Sequence, residues 1–414
     1  MNFTYPSSLG SAELRLLRPV SATHHALHFT VLSVPRAAAP PYTAASYTWG
    51  EGEASEIIFL DDRIFHVRPN LWSCLYYLSL SAKDAAWKYI WVDAVCIDQY
   101  NNEERSLQVR LMDQTYKDAT YVSVWLGLIP LPDEYSSAWD NRFPSKTIES
   151  DGFDWRDSMA DLSNRPYWSR LWVIQEFLLG QDVELHCSNT RMNWLDFQAM
   201  LCDEAGIDQF GVEHDSNFGN GITDACKALP LVMGRHPDKH PEVLQPLHHL
   251  LVRYHRAKCK DWRDKVFALL GLITLDERRL LERFFPDYSM SDDHVRIITL
   301  AHLTQFISST GRESITPDSE ELFLGLGVDS RAQRRRLLRR AKKFDYFDDG
   351  PPSELLSILS FHNGMEEYDN MGPEETDDID AIIEPPRPGR GRRVVVVVIA
   401  LGLGVAALWA YRRR

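Results

Sequence analysis

Apolar and polar positions change rhythm several times along the chain. Period-two alternation in "ALHFTVLSV" (26–34) predicts a strand inside an entry segment, residues 1–40. "EIIFLDDRIFHV" (56–67) is two such runs meeting at Asp61-Asp62, which predicts a hairpin. "NLWSCLYYLSLSA" (70–82) has helical spacing, with Asn70 as its expected cap. "YIWVDAVCID" (89–98) is apolar on both alternating faces, as a central buried strand would be. "NNEERSLQVRLMDQTYKDA" (101–119) opens with capping asparagines and first-turn glutamates, then places Leu107, Leu111 and Thr115 in helical register. "TYVSVWLG" (120–127) and "DVELHC" (182–187) predict two more strands. Between them "SRLWVIQEFLLG" (169–180) predicts a helix capped by Ser169 and stopped by Gly180. Strands alternating with helices imply an α/β fold on a mostly parallel sheet over residues 41–188, interrupted by a Pro-, Asp- and Ser-bearing insertion at 128–160. Residues 189–330 read as mainly helical, most clearly in "RDKVFALLGL" (263–272) and "DDHVRIITLAHLTQFISS" (292–309).

The last part of the chain breaks this pattern. Residues 331–343 are arginine-rich, and 345–384 carry thirteen acidic residues with no Lys or Arg. The whole of 331–393 therefore reads as a charged, disordered spacer. It leads to "VVVVVIALGLGVAALWAY" (394–411), eighteen residues without a charge, fenced by arginines on both sides. As a helix this run measures ~27 Å, close to the ~30 Å of a bilayer's hydrocarbon core. Trp409 and Tyr411 stand where interfacial aromatics belong, so a single-pass C-terminal transmembrane anchor is expected, with the body in the cytosol. Gly402 and Ala406 have helix-pairing spacing.

Composition narrows the chemistry. The chain has 414 residues, 44% of them hydrophobic, enough for one large domain or two smaller ones. A net charge of −14 argues against a general nucleic-acid-binding surface. Six scattered cysteines (Cys74, Cys96, Cys187, Cys202, Cys226 and Cys259) form no CxxC pair and read as reduced thiols. The opening "MNFTYPSSLG" lacks a secretory pattern. His249, His255 and Cys259 match no standard metal spacing, so no metal is expected. "WGEGE" flanks its glycines with glutamates, which would repel a phosphate.

Two carboxylates stand out. Glu176 shares its predicted helix face with Trp172, Val173, Leu179 and Gly180. Such a carboxylate is costly and its pKa rises unless a partner satisfies it; Arg165 and Arg170 are close in sequence. It is either a functional acid or half of a salt bridge. Asp93 sits where a central strand would carry an apolar residue. It either bonds to backbone amides or an arginine, or marks the ligand-binding edge of a parallel sheet.

Three blocks resemble the signatures of the fungal heterokaryon incompatibility (HET) domain: "YTAASYTWG" (42–50), the stretch from "YIWVDAVCIDQYNNEERSLQ" through "TYVSVWLG" (89–127), and "RPYWSRLWVIQEFLLG" (165–180). "CKDWRDKVFALLGL" and "PDYSMSDDHVRI" resemble the segment that commonly follows it. More distantly, the blocks resemble a Toll/interleukin receptor (TIR) arrangement. That implies a TIR-like (flavodoxin-like) sheet with flanking helices. The HET resemblance implies a role in fungal non-self recognition and programmed cell death. "SRLWVIQE" is similar to the TIR pattern of Ser, Trp and Glu, although Ser169 is displaced and the insertion before Arg165 is long. In NAD-cleaving TIR domains the glutamate at this place is catalytic. The resemblance thus implies Glu176 as catalytic residue of an NAD glycohydrolase, with Tyr47, Trp49, Gly50, Asp93, Arg170 and Trp172 as pocket residues. NAD would be substrate, and no resident cofactor is expected. Self-association, an incompatibility partner protein and a membrane are the implied partners. The alternative is a non-catalytic oligomerisation and signalling module on a membrane.

Overall fold

The computed structural model describes residues 1–50, 52–81, 85–129, 155–205, 226–232, 234–235, 244–306, 319–344 and 346. Nine strands form one sheet: β1 (Glu13–Ala22), β2 (Leu27–Pro35), β3 (Thr43–Tyr47), β4 (Glu56–Leu60), β5 (Arg63–Val67), β6 (Ile90–Trp91), β7 (Tyr121–Trp125), β8 (Asp182–Cys187) and β9 (Thr190–Asn193). Their order is β5-β4-β2-β1-β6-β3-β7-β8-β9. The sheet is mixed rather than mostly parallel. Parallel pairing joins the central run β6-β3-β7-β8 and links β2 to β4, whereas β4–β5, β1–β2, β1–β6 and β8–β9 are antiparallel. Both outer pairs are hairpins, which need no crossover and so reverse direction. The Asp61-Asp62 turn predicted from sequence is one of them; both residues take positive φ (47° and 62°), as a two-residue hairpin turn requires. Residues 1–40 are more than an entry segment, because β1 and β2 extend the sheet.

The parallel run is the core of the fold. Numbered along the chain, its strands β3, β6, β7 and β8 lie in spatial order 2-1-3-4. Every residue of β3 ("TAASY") is buried, because helices cover both of its faces. Successive side chains point to opposite faces. Tyr47 is in register with Trp125, which stacks on Tyr77 of α1 (Pro69–Leu80). Ser46 faces the other way, toward α6 (Trp172–Leu179). Between these two helices in the chain come α2 (Asp93–Cys96), α3 (Asn102–Arg110), α4 (Met112–Asp118) and α5 (Trp155–Asn164).

Several local expectations give way to tertiary contacts. The strand over 89–98 shrinks to Ile90–Trp91, and Asp93 opens a short helix just past the strand's carboxyl end. Asn70 is not a cap: its amide donates to the Thr48 carbonyl at 2.6 Å and its oxygen accepts from the Trp125 indole at 2.9 Å. Ser169 lies in a 3-10 turn, Pro166–Ser169, and donates back to Pro166, leaving the N-terminus of α6 without a side-chain cap. Asn101 does cap α3, accepting from the backbone amides of Glu103 and Glu104. Gly180 ends α6 by close approach rather than by a left-handed turn, since a Cβ there would come within 2.5 Å of Val122 Cγ2.

Beyond β9 the chain is helical: α7 (Trp194–Ala205), α8 (Leu229–Val232), α9 (Leu247–Arg253), α10 (Asp264–Phe267), α11 (Leu275–Leu281), α12 (Asp292–Ala301), α13 (Ser319–Gly325) and α14 (Arg331–Lys343). The last is a correction. The arginine-rich stretch expected to open a disordered spacer is a helix, with Leu337, Leu338 and Ala341 buried. The rest of the spacer, apart from Phe344 and Tyr346, the bulk of the insertion and the anchor at 394–411 lie outside the described residues. Among the described residues no helix is long and apolar enough to cross a membrane.

Candidate functional site

The site grows from β3 and α6. Glu176 lies on the face of α6 turned toward the sheet and is only 3% exposed. The Ser46 hydroxyl of β3 donates to its carboxylate. The same hydroxyl lies 2.7 Å from the Tyr167 hydroxyl. Tyr116 of α4 also hydrogen-bonds the carboxyl, and its hydroxyl is 3.3 Å from the Ala45 carbonyl. Glu176 is therefore lodged among hydroxyls. Among the described residues it forms no ion pair: Arg165 pairs with Asp161 at 2.9 Å, and Arg170 donates to the Tyr47 carbonyl.

The salt-bridge reading of Glu176 thus does not hold, and the electrostatics follow. Burial pushes its pKa up to about 7, opposed by the nearby Arg170 guanidinium and reinforced by the Asp93 carboxylate. Asp93 is also raised by burial and also opposed by Arg170. Its carboxylate accepts from the Trp49 indole at 3.2 Å and from its neighbour's amide, Ala94, at 2.7 Å. Tyr47 feels both acids, and burial holds its phenol well above the ordinary value. Two acids thus share the field of one guanidinium.

Most of the residues singled out from sequence come together here. Glu176, Asp93, Trp49, Tyr47 and Arg170 gather at the carboxyl ends of β3 and β6. Gly50 sits at the exposed rim, in left-handed conformation (φ 75°), and its carbonyl accepts from Arg68 at 3.2 Å. Trp172 departs from the group: its side chain hydrogen-bonds Asp264 of α10. Asp264 also accepts from the Tyr288 hydroxyl at 2.7 Å, and burial pushes its pKa up to about 6. Residues 169–171 are further tied down by a backbone bridge. Lys258 N donates to the Ser169 carbonyl at 2.6 Å, and Leu171 N donates to the Lys258 carbonyl at 2.9 Å.

Sequence reasoning missed Ser46, Tyr116, Tyr167, Asp264 and Arg235. The first had a signal, as a small hydroxyl residue within a fully buried strand. Arg235 had none. It is buried, and its guanidinium donates to the carbonyls of Phe177 (2.8 Å), Gly180 (2.7 Å) and Gln181 (2.7 Å), at and just beyond the end of α6. Among the described residues, no group of three or more side chains is arranged to hold a metal ion.

Comparison with known proteins places these residues in a family. The model for "Heterokaryon incompatibility protein (HET)" matches residues 42–176, a span that contains every residue of the Glu176 and Asp93 cluster. The chain is 26% identical over 372 residues to "Heterokaryon incompatibility protein 6, OR allele" of Neurospora crassa, covering 72% of this chain and 52% of that protein. It is 32% identical over 156 residues to "Vegetative incompatibility protein HET-E-1" of Podospora anserina, covering 36% of this chain and 10% of that protein. The chain thus spans about half the length of the first relative and a tenth of the second. No solved structure matches it. Residues 42–176 thus match a HET domain, and the two relatives are incompatibility proteins by name.

Proposed function

We propose that this protein acts in fungal non-self recognition, and that its HET domain carries out the response by cleaving NAD at the nicotinamide–ribose bond. The names of both relatives support the first part. The observation that carries the second is the cluster at the sheet's carboxyl edge: Glu176 and Asp93 in the field of a single guanidinium, Arg170. With both acids ionised the trio is one positive charge short, and a pyridinium–ribose supplies it. The strand order 2-1-3-4 supports a TIR-like, flavodoxin-like core, and in such sheets ligands bind at the carboxyl edge beside the switch in strand order. Here β3 lies at that switch, between β6 and β7.

The chemistry is balanced by water alone: NAD⁺ and H₂O give ADP-ribose, nicotinamide and H⁺. As the glycosidic bond breaks, its electron pair leaves with the pyridine nitrogen, so no strong acid is needed. Positive charge develops on the ribose, where an ionised Glu176 stabilises it and holds the ribose hydroxyls. Burial keeps Glu176 near half-protonated at neutral pH, and Arg170 draws it toward the charged form. With Glu176 3% exposed, the site must open before substrate enters. Self-association is the opening event in this reading, and membrane anchoring by residues 394–411 raises the local concentration that drives it.

A second reading also has an observation behind it. The hydroxyls of Ser46 and Tyr116 satisfy the carboxyl without any ligand, as in a non-catalytic signalling module. The full chain and its Glu176→Gln variant, artificially clustered and assayed for nicotinamide release, separate the two. Release by the parent and at least about a hundredfold less by an equally stable variant supports catalysis. No release from either overturns it.

A further inference from the structure

We propose that the outer face of α14 is a docking surface for an anionic lipid membrane. Eight of its thirteen residues are Arg or Lys and none is acidic, in a chain whose net charge is −14. The inner face belongs to the body. Leu337, Leu338 and Ala341 are buried, and α14 packs along α12. Arg334 is also turned inward, donating to the Val328 carbonyl at 3.1 Å with its guanidinium over the Phe323 ring. The other seven cations lie on the outer side. Arg331, Arg336, Lys342 and Lys343 are exposed, and Arg335, Arg339 and Arg340 half-buried. Arg336 pairs with Asp293 of α12 at 2.7 Å, and Arg335, Arg340 and Lys343 also have partners, so the docking surface rests on Arg331, Arg339 and Lys342.

Such a face seeks a polyanion. Single-stranded nucleic acid is held by aromatic stacking, and α14 contains no aromatic residue. A flat lipid surface asks only for a row of charges. The choice of lipid rests on reading residues 394–411 as an anchor: an apolar run fenced by arginines lies further along the same chain and would keep α14 near a membrane. The apolar side of α14 is already spent on the body, so the attraction is electrostatic, without insertion. It must depend on anionic lipid and weaken with salt.

The test sediments the full-length protein with vesicles of phosphatidylcholine alone and with vesicles containing phosphatidylserine, at low and high salt. The expected result is added binding with phosphatidylserine that high salt removes. A variant with Arg331, Arg339 and Lys342 all changed to Gln loses that increment by about a hundredfold, at roughly 1 kcal/mol per cation near the surface. Replacing Arg331 and Arg339 by Lys keeps it, with melting temperatures compared to show that all forms fold. Three outcomes overturn the proposal: an equal increment in the Gln variant, an increment that survives high salt, or release of the protein by RNA at equal phosphate concentration. Binding to phosphatidylcholine alone reports only on residues 394–411. Its absence counts against the anchor, while the phosphatidylserine increment still decides the role of α14.

Discussion

Two glutamates, both almost without exposure, show what burial does when the partners differ. Glu104 of α3 meets Arg15 of β1 at 2.8 Å and accepts from the backbone amides of Leu9 (2.9 Å) and Asp98 (2.8 Å). Although its burial opposes the charge, these partners hold its pKa below the ordinary value. Glu176 of α6 meets hydroxyls, and its pKa rises to about 7. Glu104 fastens the N-terminal strands to the turn after β6. Glu176 is held by hydroxyls at the carboxyl edge of β3, without a paired counter-charge among the described residues. A full set of charged and amide donors keeps a buried carboxylate ionised; hydroxyls alone leave burial to raise its pKa.

The largest expected effect is at the first glutamate. Glu104→Gln leaves the fully buried Arg15 guanidinium without its counter-charge and should cost about 3–5 kcal/mol in urea unfolding. Glu176→Gln should cost far less and, above neutral pH, stabilise. The sign follows from the raised pKa: the folded state binds a proton that the unfolded chain releases. Stability therefore falls as pH climbs from about 4.5 to about 7 and then levels. The variant should remove this slope, on the order of 3 kcal/mol, so that its urea midpoint exceeds the parent's at pH 8 and not at pH 5. A steeper slope in the variant would refute the assignment.

Asp264→Asn tests the strap on α6 in the same way. Its pKa is raised to about 6, so its cost accrues between about 3.8 and 6, and Asn should flatten that window by roughly 3 kcal/mol. Ser46→Ala has the smallest effect, about 1–2 kcal/mol from its lost hydrogen bonds to Glu176 and Tyr167. It removes a donor that favours ionised Glu176, so the pH window of instability should move upward. A downward move would mean that Ser46 does not donate to the charged form.

The same contrast explains what could be read in advance. Glu176 stood out because apolar neighbours at helical spacing made its burial certain. Glu104 did not, since "NNEERSLQ" reads as a solvated first turn and its partner Arg15 lies 89 positions away. Asp93 was placed at the right edge for the wrong local reason, as a strand residue rather than the start of a helix. The arginines of α14 read as disorder because the α12 surface that buries Leu337 and Leu338 is invisible to composition.

The sequence by itself determined the family blocks, the β4–β5 hairpin, the parallel β3, β7 and β8, and a carboxylate on a buried helix face. These rest on local periodicity and turn chemistry, which operate over a few residues. Tertiary structure alone decided that the sheet is mixed, that Asn70 ties Thr48 to Trp125 rather than capping a helix, and that Glu176 meets Ser46 and Tyr116 instead of an arginine. Those outcomes turn on which distant groups are brought within hydrogen-bond reach, and a buried polar group takes the partner the fold supplies.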